Sequence, residues 1–243
     1  MNESPIYIIG KGNLGWHLNV FFNENRVKVG GWLSSRINFE ELNLPSDSLI
    51  FLAVSDDAVE PILKNLIANN KKLIIIYCSG TLNLVSKYPN NTANWYPLYS
   101  FTKNIPVQWN KIPVFLEFKE ELIGERLEIL NLELGVKAKI ITTDQRNRIH
   151  LAAVFINNFT NACAIAAQQS LNDSELFSYL MPILNQTVEK ITHYSGDIID
   201  LQTGPARRQD QLVIQKHLEL LKFLVPESEV YSEMNKYIQQ KIQ

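Results

Sequence analysis

Cysteine is scarce in this chain, with two residues, Cys78 and Cys163, among 243. Neither stands in a spacing that would hold a metal, and two thiols in apolar surroundings fit a disulfide framework poorly. A reduced, cytoplasmic setting is expected instead. Charge of one sign is missing too. The 23 basic and 25 acidic residues leave a formal net charge of -2 and form no run. That balance gives no electrostatic reason for nucleic acid or an anionic membrane as partner. The longest uninterrupted apolar stretches, Leu73 to Cys78 among them, are far too short to span a bilayer. The first residues, Met1-Asn2-Glu3-Ser4, lack the basic and apolar regions of a secretion signal. What remains is an ordinary globular balance, 46% apolar and 20% charged, with length for one large domain or two small ones.

Against this plain background the opening stands out. An apolar run, Pro5-Ile6-Tyr7-Ile8-Ile9, ends in Gly10-Lys11-Gly12-Asn13-Leu14-Gly15, and a helix-compatible stretch, Trp16 to Asn23, follows at once. This is the G-x-G-x-x-G fingerprint set between a strand and a helix. Gly10 allows the sharp turn, Gly12 lets a pyrophosphate approach the backbone, and Gly15 lets the helix lie close to the strand. Asn13 and Leu14 open the helix, whose unpaired N–H groups and positive dipole end would face the phosphates.

Strand-like and helix-like stretches alternate as far as residue 142. Strands are expected at Ile6–Gly10, Val27–Leu33, Ser48–Val54, Leu73–Cys78, Ala93–Tyr96, Val114–Glu117 and Ala138–Ile141. Helices are expected at Asn13–Asn23, Asp57–Asn69 and Glu120–Leu134, with Asp56 or Asp57 as N-cap of the second. The central strands are continuous apolar runs, so their sheet should be buried on both faces. The fold class is therefore α/β, a Rossmann-like doubly wound parallel sheet. From about residue 144 only helices are signalled: a long alanine-containing one to Ser170, one at Glu175–Tyr194 broken near Pro182, then Arg207–Leu224 and Glu227–Gln240. This predicts a nucleotide domain over residues 1–143 and an all-helical domain for substrate and dimerisation over 144–243.

About 20 residues beyond the glycines, NAD-preferring domains place an acid for the ribose hydroxyls. This chain has Gly31-Trp32-Leu33-Ser34-Ser35-Arg36 there. Two hydroxyls and a guanidinium make a receptor for a dianionic phosphate, so NADP is the expected cofactor. Further contacts are expected from loops at strand ends, namely Val54 and Ser55, then Ser79 and Gly80 near the nicotinamide. No metal is expected.

On the long helix His150, Asn157 and Asn161 point in nearly one direction at 3.6 residues per turn. Asparagine is a poor helix former, so these residues serve either a buried hydrogen-bond network or a face turned to substrate. A second polar cluster is Gln202-Thr203-Gly204-Pro205-Ala206-Arg207-Arg208-Gln209-Asp210. It reads either as a capped helix start or as a helix N-terminus that receives an anion.

These segments together resemble the NADP oxidoreductases that join a Rossmann-like domain to an uncharacterised helical C-terminal domain. Those proteins are distant relatives of pyrroline-5-carboxylate reductase and the β-hydroxyacid dehydrogenases. The resemblance runs through Ile9 to Leu18, Val54 to Ala58, Cys78 to Thr81, Pro97 to Phe101, His150 to Ala153, Asn157 to Asn161 and Gln202 to Asp210. It implies NADP binding and a homodimer formed largely by the helical domains, and it names no substrate. Two departures stand out. Tyr96-Pro97 replaces the family's His-Pro, and the long helix lacks the lysine that β-hydroxyacid dehydrogenases use.

The expected activity is NADP(H)-dependent hydride transfer to a small polar C=N or C=O substrate. The protein would supply orientation and a proton donor, with His150, Tyr96 or Ser79 as candidate donors. Asn157, Asn158, Asn161 and Thr203 would hold the substrate, and Arg207 or Arg208 would bind a carboxylate. One alternative is a sensor or scaffold that binds NADP(H) without turnover. Another is a dehydrogenase working oxidatively on a hydroxy or amino acid.

Overall fold

In the computed structural model of the chain, residues 5–39, 42–171 and 173–242 are described. The chain divides into two compact units, Met1–Phe155 and Ile156–Gln243.

The first unit holds strands β1 (Ile6–Ile9), β2 (Val29–Leu33), β3 (Leu49–Leu52), β4 (Ile74–Tyr77), β5 (Thr92–Pro97), β6 (Val114–Phe118) and β7 (Ala138–Ile140). Helices α1 (Asn13–Glu24), α2 (Asp56–Asn69), α3 (Glu121–Glu133) and α4 (Thr143–Ala153) belong to the same unit. The strands form one sheet in the order β2-β1-β3-β4-β5-β6-β7. From β2 to β5 all pairs are parallel. Alternate residues of the central strands feed two cores. Ile8, Phe51, Ile76 and Trp95 pack with α1 and α3, whereas Ile9, Ile50, Ile75 and Tyr77 pack with α2. Helices therefore cover both faces, as the continuous apolar runs required. Each such fully buried side chain contributes about 1.5–3 kcal/mol.

The sheet is not parallel throughout, and here the expectation is corrected. β6 runs antiparallel to β5, and β7 is parallel to β6. The physical reason lies between β5 and β6, where the chain forms only a short 3-10 turn at Trp109–Lys111. Without a crossover helix to carry it back, the chain returns alongside β5.

The boundary also differs from the expected division at 143/144, because α4 belongs to the sheet unit. Side chains of α4, notably Arg146 and His150, bond to the sheet and its loops. Beyond α4 the helix does not stay regular. Val154–Phe159 is a π-helical segment leading into α5 (Thr160–Leu171). The wider turn of a π segment interrupts the 3.6-residue period on which the expected common face of His150, Asn157 and Asn161 rested. The unbroken helical run Thr143–Leu171 is, by length and composition, long and apolar enough to cross a membrane.

The second unit comprises α5, α6 (Ser174–Ser178), α7 (Met181–His193), α8 (Gln211–Leu220) and α9 (Val225–Ile242). The break before Pro182 is as expected, since proline is tolerated in a first helical turn. Pro226 does not separate two elements; it lies within the first turn of α9. Among the described residues only Ala206 and Leu221 of this unit are buried and apolar, whereas Ile156, Tyr179, Ile183, Leu212, Leu220 and Phe223 are exposed.

Candidate dinucleotide site and the Tyr96–His150 pair

The strand order reverses at β1, whose neighbours are β2 and β3. Ligands of open α/β sheets bind at the carboxyl ends of the strands beside such a reversal. Gly10 leaves β1 with φ +118°, and a Cβ there would overlap the carbonyl of Ala53. Only glycine fits. A Cβ on Gly15 would overlap the carbonyl of Gly10, so α1 is seated directly on the turn. Around Gly12 no atom would meet an added Cβ within 4 Å. Gly12 is also the N-cap of α1, with no side-chain cap and no acid in the first turn, which Asn13 and Leu14 open. By contrast, α4 carries a full capping box from Thr142 and Gln145. The orphan N–H groups of α1 thus face an open place, the environment an anionic pyrophosphate needs.

β2 ends beside this turn. The Gly10 N–H donates to the Leu33 carbonyl at 2.9 Å, and the Trp32 indole N–H donates to the Gly10 carbonyl at 2.8 Å. The backbone then turns through Ser34, Ser35 and Arg36, where the Arg36 N–H donates to Ser34 Oγ at 3.2 Å. Arg36 is exposed.

After β3, half-buried Val54 and exposed Ser55 lead into α2. Ser55 holds the N-cap position and Asp56 is the first helical residue, so neither aspartate caps α2 as expected. The Asp56 carboxylate instead accepts from the hydroxyls of Ser79 and Thr81, both at 2.8 Å. Ser79 Oγ further accepts from the N–H groups of Thr81 and Leu82. Buried and fully committed, Ser79 shapes the loop after β4 and has no hydroxyl to spare as a proton donor. Asn94 of β5 fixes the same loop, donating to the carbonyls of Tyr77 and Ser79.

That loop brings Gly80 against α4. A Cβ on Gly80 would overlap the imidazole of His150. Across from it, Tyr96 Oη lies 2.8 Å from His150 Nδ1. Burial pushes the Tyr96 hydroxyl above its ordinary pKa, with nearby Arg146 opposing, so it stays protonated at neutral pH. Three elements, the β4 loop, β5 and α4, therefore converge on one imidazole.

Sequence reasoning missed what holds α4 there. Arg146, one turn before His150, is completely buried and pairs with Glu117 of β6. It also donates to the Leu82 carbonyl, while Thr143 donates its hydroxyl to the same Glu117 carboxylate. The available signal was Glu117 itself, one carboxylate in the apolar strand Val-Phe-Leu-Glu-Phe, which required a buried cation.

The remaining candidates lie in the second unit. Asn157, Asn158 and Asn161 are exposed, so they form no buried network. Thr203 and Arg208 are exposed as well. Arg207 is spent locally, with Nη1 donating to the carbonyls of Ile199, Asp200 and Gln202. No open helix N-terminus follows Gly204-Pro205, because α8 starts at Gln211 with Asp210 as its cap, accepting from the Val213 N–H. A carboxylate already occupies the place expected to receive an anion.

The sequence profile of a domain of unknown function, DUF2520, matches residues 112–238, more than half of the chain. The chain belongs to the DUF2520 family. No curated protein matches it in sequence. Among solved structures, this DUF2520 protein is similar to one named a "putative NADP oxidoreductase" from Bacteroides fragilis. The two share 23% identity over 98% of both chains, with a TM-score of 0.86. It is similar also to the NADP-bound pyrroline carboxylate reductase of Plasmodium falciparum, at 14% identity over 98% of this chain and 99% of that one, TM-score 0.56. Prephenate dehydrogenase from Aquifex aeolicus gives 12% identity over 98% and 99%, TM-score 0.58. These likenesses establish the fold, a Rossmann-like sheet unit followed by a helical region.

Proposed function

We propose that this protein is an NADP(H)-dependent oxidoreductase that transfers a hydride to a small polar C=N or C=O substrate. The observation that carries the reading is that the glycine turn and the Tyr96–His150 pair lie at the same carboxyl edge of β1 to β5. Gly10, Gly12, Asn13, Leu14 and Gly15 would hold the pyrophosphate, Ser34, Ser35 and Arg36 the 2′-phosphate, and Val54, Ser55 and Gly80 the remainder. The P. falciparum neighbour, which has NADP bound, supports that choice of cofactor. A bound nicotinamide supplies the hydride. His150 supplies the proton that the substrate nitrogen or oxygen takes up. Tyr96 engages Nδ1, so Nε2 is the ring nitrogen that a substrate would meet. The imidazolium would give up its Nε2 proton and be left as neutral imidazole, its Nδ1 still bonded to the Tyr96 hydroxyl. Tyr96 and Gly80 fix the ring's orientation. Asn157, Asn158, Asn161, Thr203 and Arg208 are the candidates of the helical unit for substrate.

The test follows NADPH absorbance against a panel of small imines and ketones, and NADP+ against the matching amines and alcohols. Changing His150→Asn should leave NADPH affinity intact and slow turnover roughly 10²–10⁴-fold, the usual contribution of a general acid. Tyr96→Phe should slow it less. A wild-type protein that binds NADPH and turns over nothing in either direction would replace this reading with a sensor or scaffold.

We also infer a homodimer through the helical unit, in a reduced cytoplasmic setting. The support is the apolar side chains that this unit leaves exposed, which among the described residues far outnumber the buried ones, Ala206 and Leu221.

A further inference from the structure

We infer that Lys11 is a second cationic arm for the 2′-phosphate and that Trp32 is the pedestal that carries it. The inference rests on the NADP reading above and adds a residue outside the Ser34-Ser35-Arg36 segment. Lys11 follows Gly10 directly, and Ser34 follows Leu33 directly. Since the Gly10 N–H donates to the Leu33 carbonyl at 2.9 Å, the chain leaves β1 and β2 side by side, with Lys11 beside the start of the serine-arginine turn.

Lys11 is exposed, yet its ammonium has a defined place, 5.5 Å from the centre of the Trp32 ring. The ring is itself anchored, its N–H bonded to the Gly10 carbonyl at 2.8 Å and its body packed against the sheet core. Neither Lys11 nor Arg36 makes an ion pair among the described residues. The segments 10–16 and 31–38 contain no aspartate or glutamate. Two cations with no ion pair among the described residues thus stand near adjacent strand ends. An ammonium over a partly exposed indole is held weakly, so a dianion beside it draws the ammonium off the ring. Trp32 confines a flexible side chain near the site, which reduces the ordering cost of binding.

The test is calorimetric titration with two probes that differ only in the group concerned, adenosine 2′,5′-bisphosphate and adenosine 5′-monophosphate. Lys11→Met keeps an unbranched chain for the indole and removes the charge. It should weaken the bisphosphate roughly tenfold or more and leave the monophosphate unchanged. Lys11→Arg should retain most of the wild-type preference. Equal loss for both probes, or no loss for the bisphosphate, overturns the role of Lys11 while the NADP reading stands on the wild-type preference. A wild-type protein that binds the two probes alike overturns both.

Discussion

Arg36 occupies the place where NAD-preferring domains carry an acid, and the turn that presents it is set by its own N–H bonding Ser34 Oγ. A charge-assisted hydrogen bond to a dianion is worth about 1.5–3 kcal/mol, so Arg36→Ala should weaken NADPH roughly ten- to hundredfold. NADH, which has no 2′-phosphate, should lose much less. Ser34→Asp should go further, repelling the phosphate while offering the ribose hydroxyls an acceptor. Titration of wild type and both variants with each cofactor checks this; an Arg36→Ala change that affects NADPH and NADH alike would remove the phosphate from this turn. Small size matters as much as charge at this scale. Gly10, Gly15 and Gly80 are each glycine because backbone or an imidazole occupies the space a Cβ would need, while Gly12 is glycine beside open space.

Among the elements, α4 has the most demanding attachment. Its first turn is closed by a reciprocal capping box, and its buried face carries an arginine, not an apolar residue. A buried pair of this kind costs desolvation of both ions, and removing one partner strands the other. Arg146→Ala should therefore destabilise the protein by about 3–5 kcal/mol, leaving Glu117 buried beside Thr143 without its cation. The double change Glu117→Leu with Arg146→Met should recover much of that loss, because no charge remains to be buried. Urea unfolding of the three proteins measures it, and a stable, fully folded Arg146→Ala protein would show the pair to be dispensable. The same attachment sets the position of His150, one helical turn on. A double variant that regains stability without regaining turnover would separate the two roles of Arg146.

For the whole molecule the informative contrast is between the units. The sheet unit buries Trp95, Tyr77, Phe22 and Phe51 almost completely, whereas the helical unit exposes Ile183, Leu212 and Phe223. A unit in which two of the described apolar residues are buried cannot offset the conformational entropy of its helices by burial within itself. The expected outcome is a homodimer burying more than ~2,000 Å² in total, the range of obligate interfaces. Sedimentation at micromolar concentration should return the dimer mass; a monomer independent of concentration would refute the assembly. Exposed apolar pairs on α7 and α8 give a second check, since Ile183→Glu or Leu212→Glu should split the dimer while leaving the binding of adenosine bisphosphate in the sheet unit intact.

The glycine turn, the strands and the α/β class were legible in the sequence because each depends on neighbours in the chain: an apolar run, a missing Cβ, a helix start. The segment Ser34-Ser35-Arg36, which we propose for the 2′-phosphate, likewise stands at a fixed distance after the fingerprint. The sequence could not say that β6 runs against β5, because strand direction depends on whether the connection packs as a crossover helix. Nor could it pair Arg146 with Glu117, Asp56 with Ser79, or Tyr96 with His150. Those partners are 23 to 54 residues apart in the chain and meet only when the sheet is assembled. The asparagines show the same limit from the other side. Their shared helical face followed from a regular 3.6-residue period, and the π segment Val154–Phe159 took that period away.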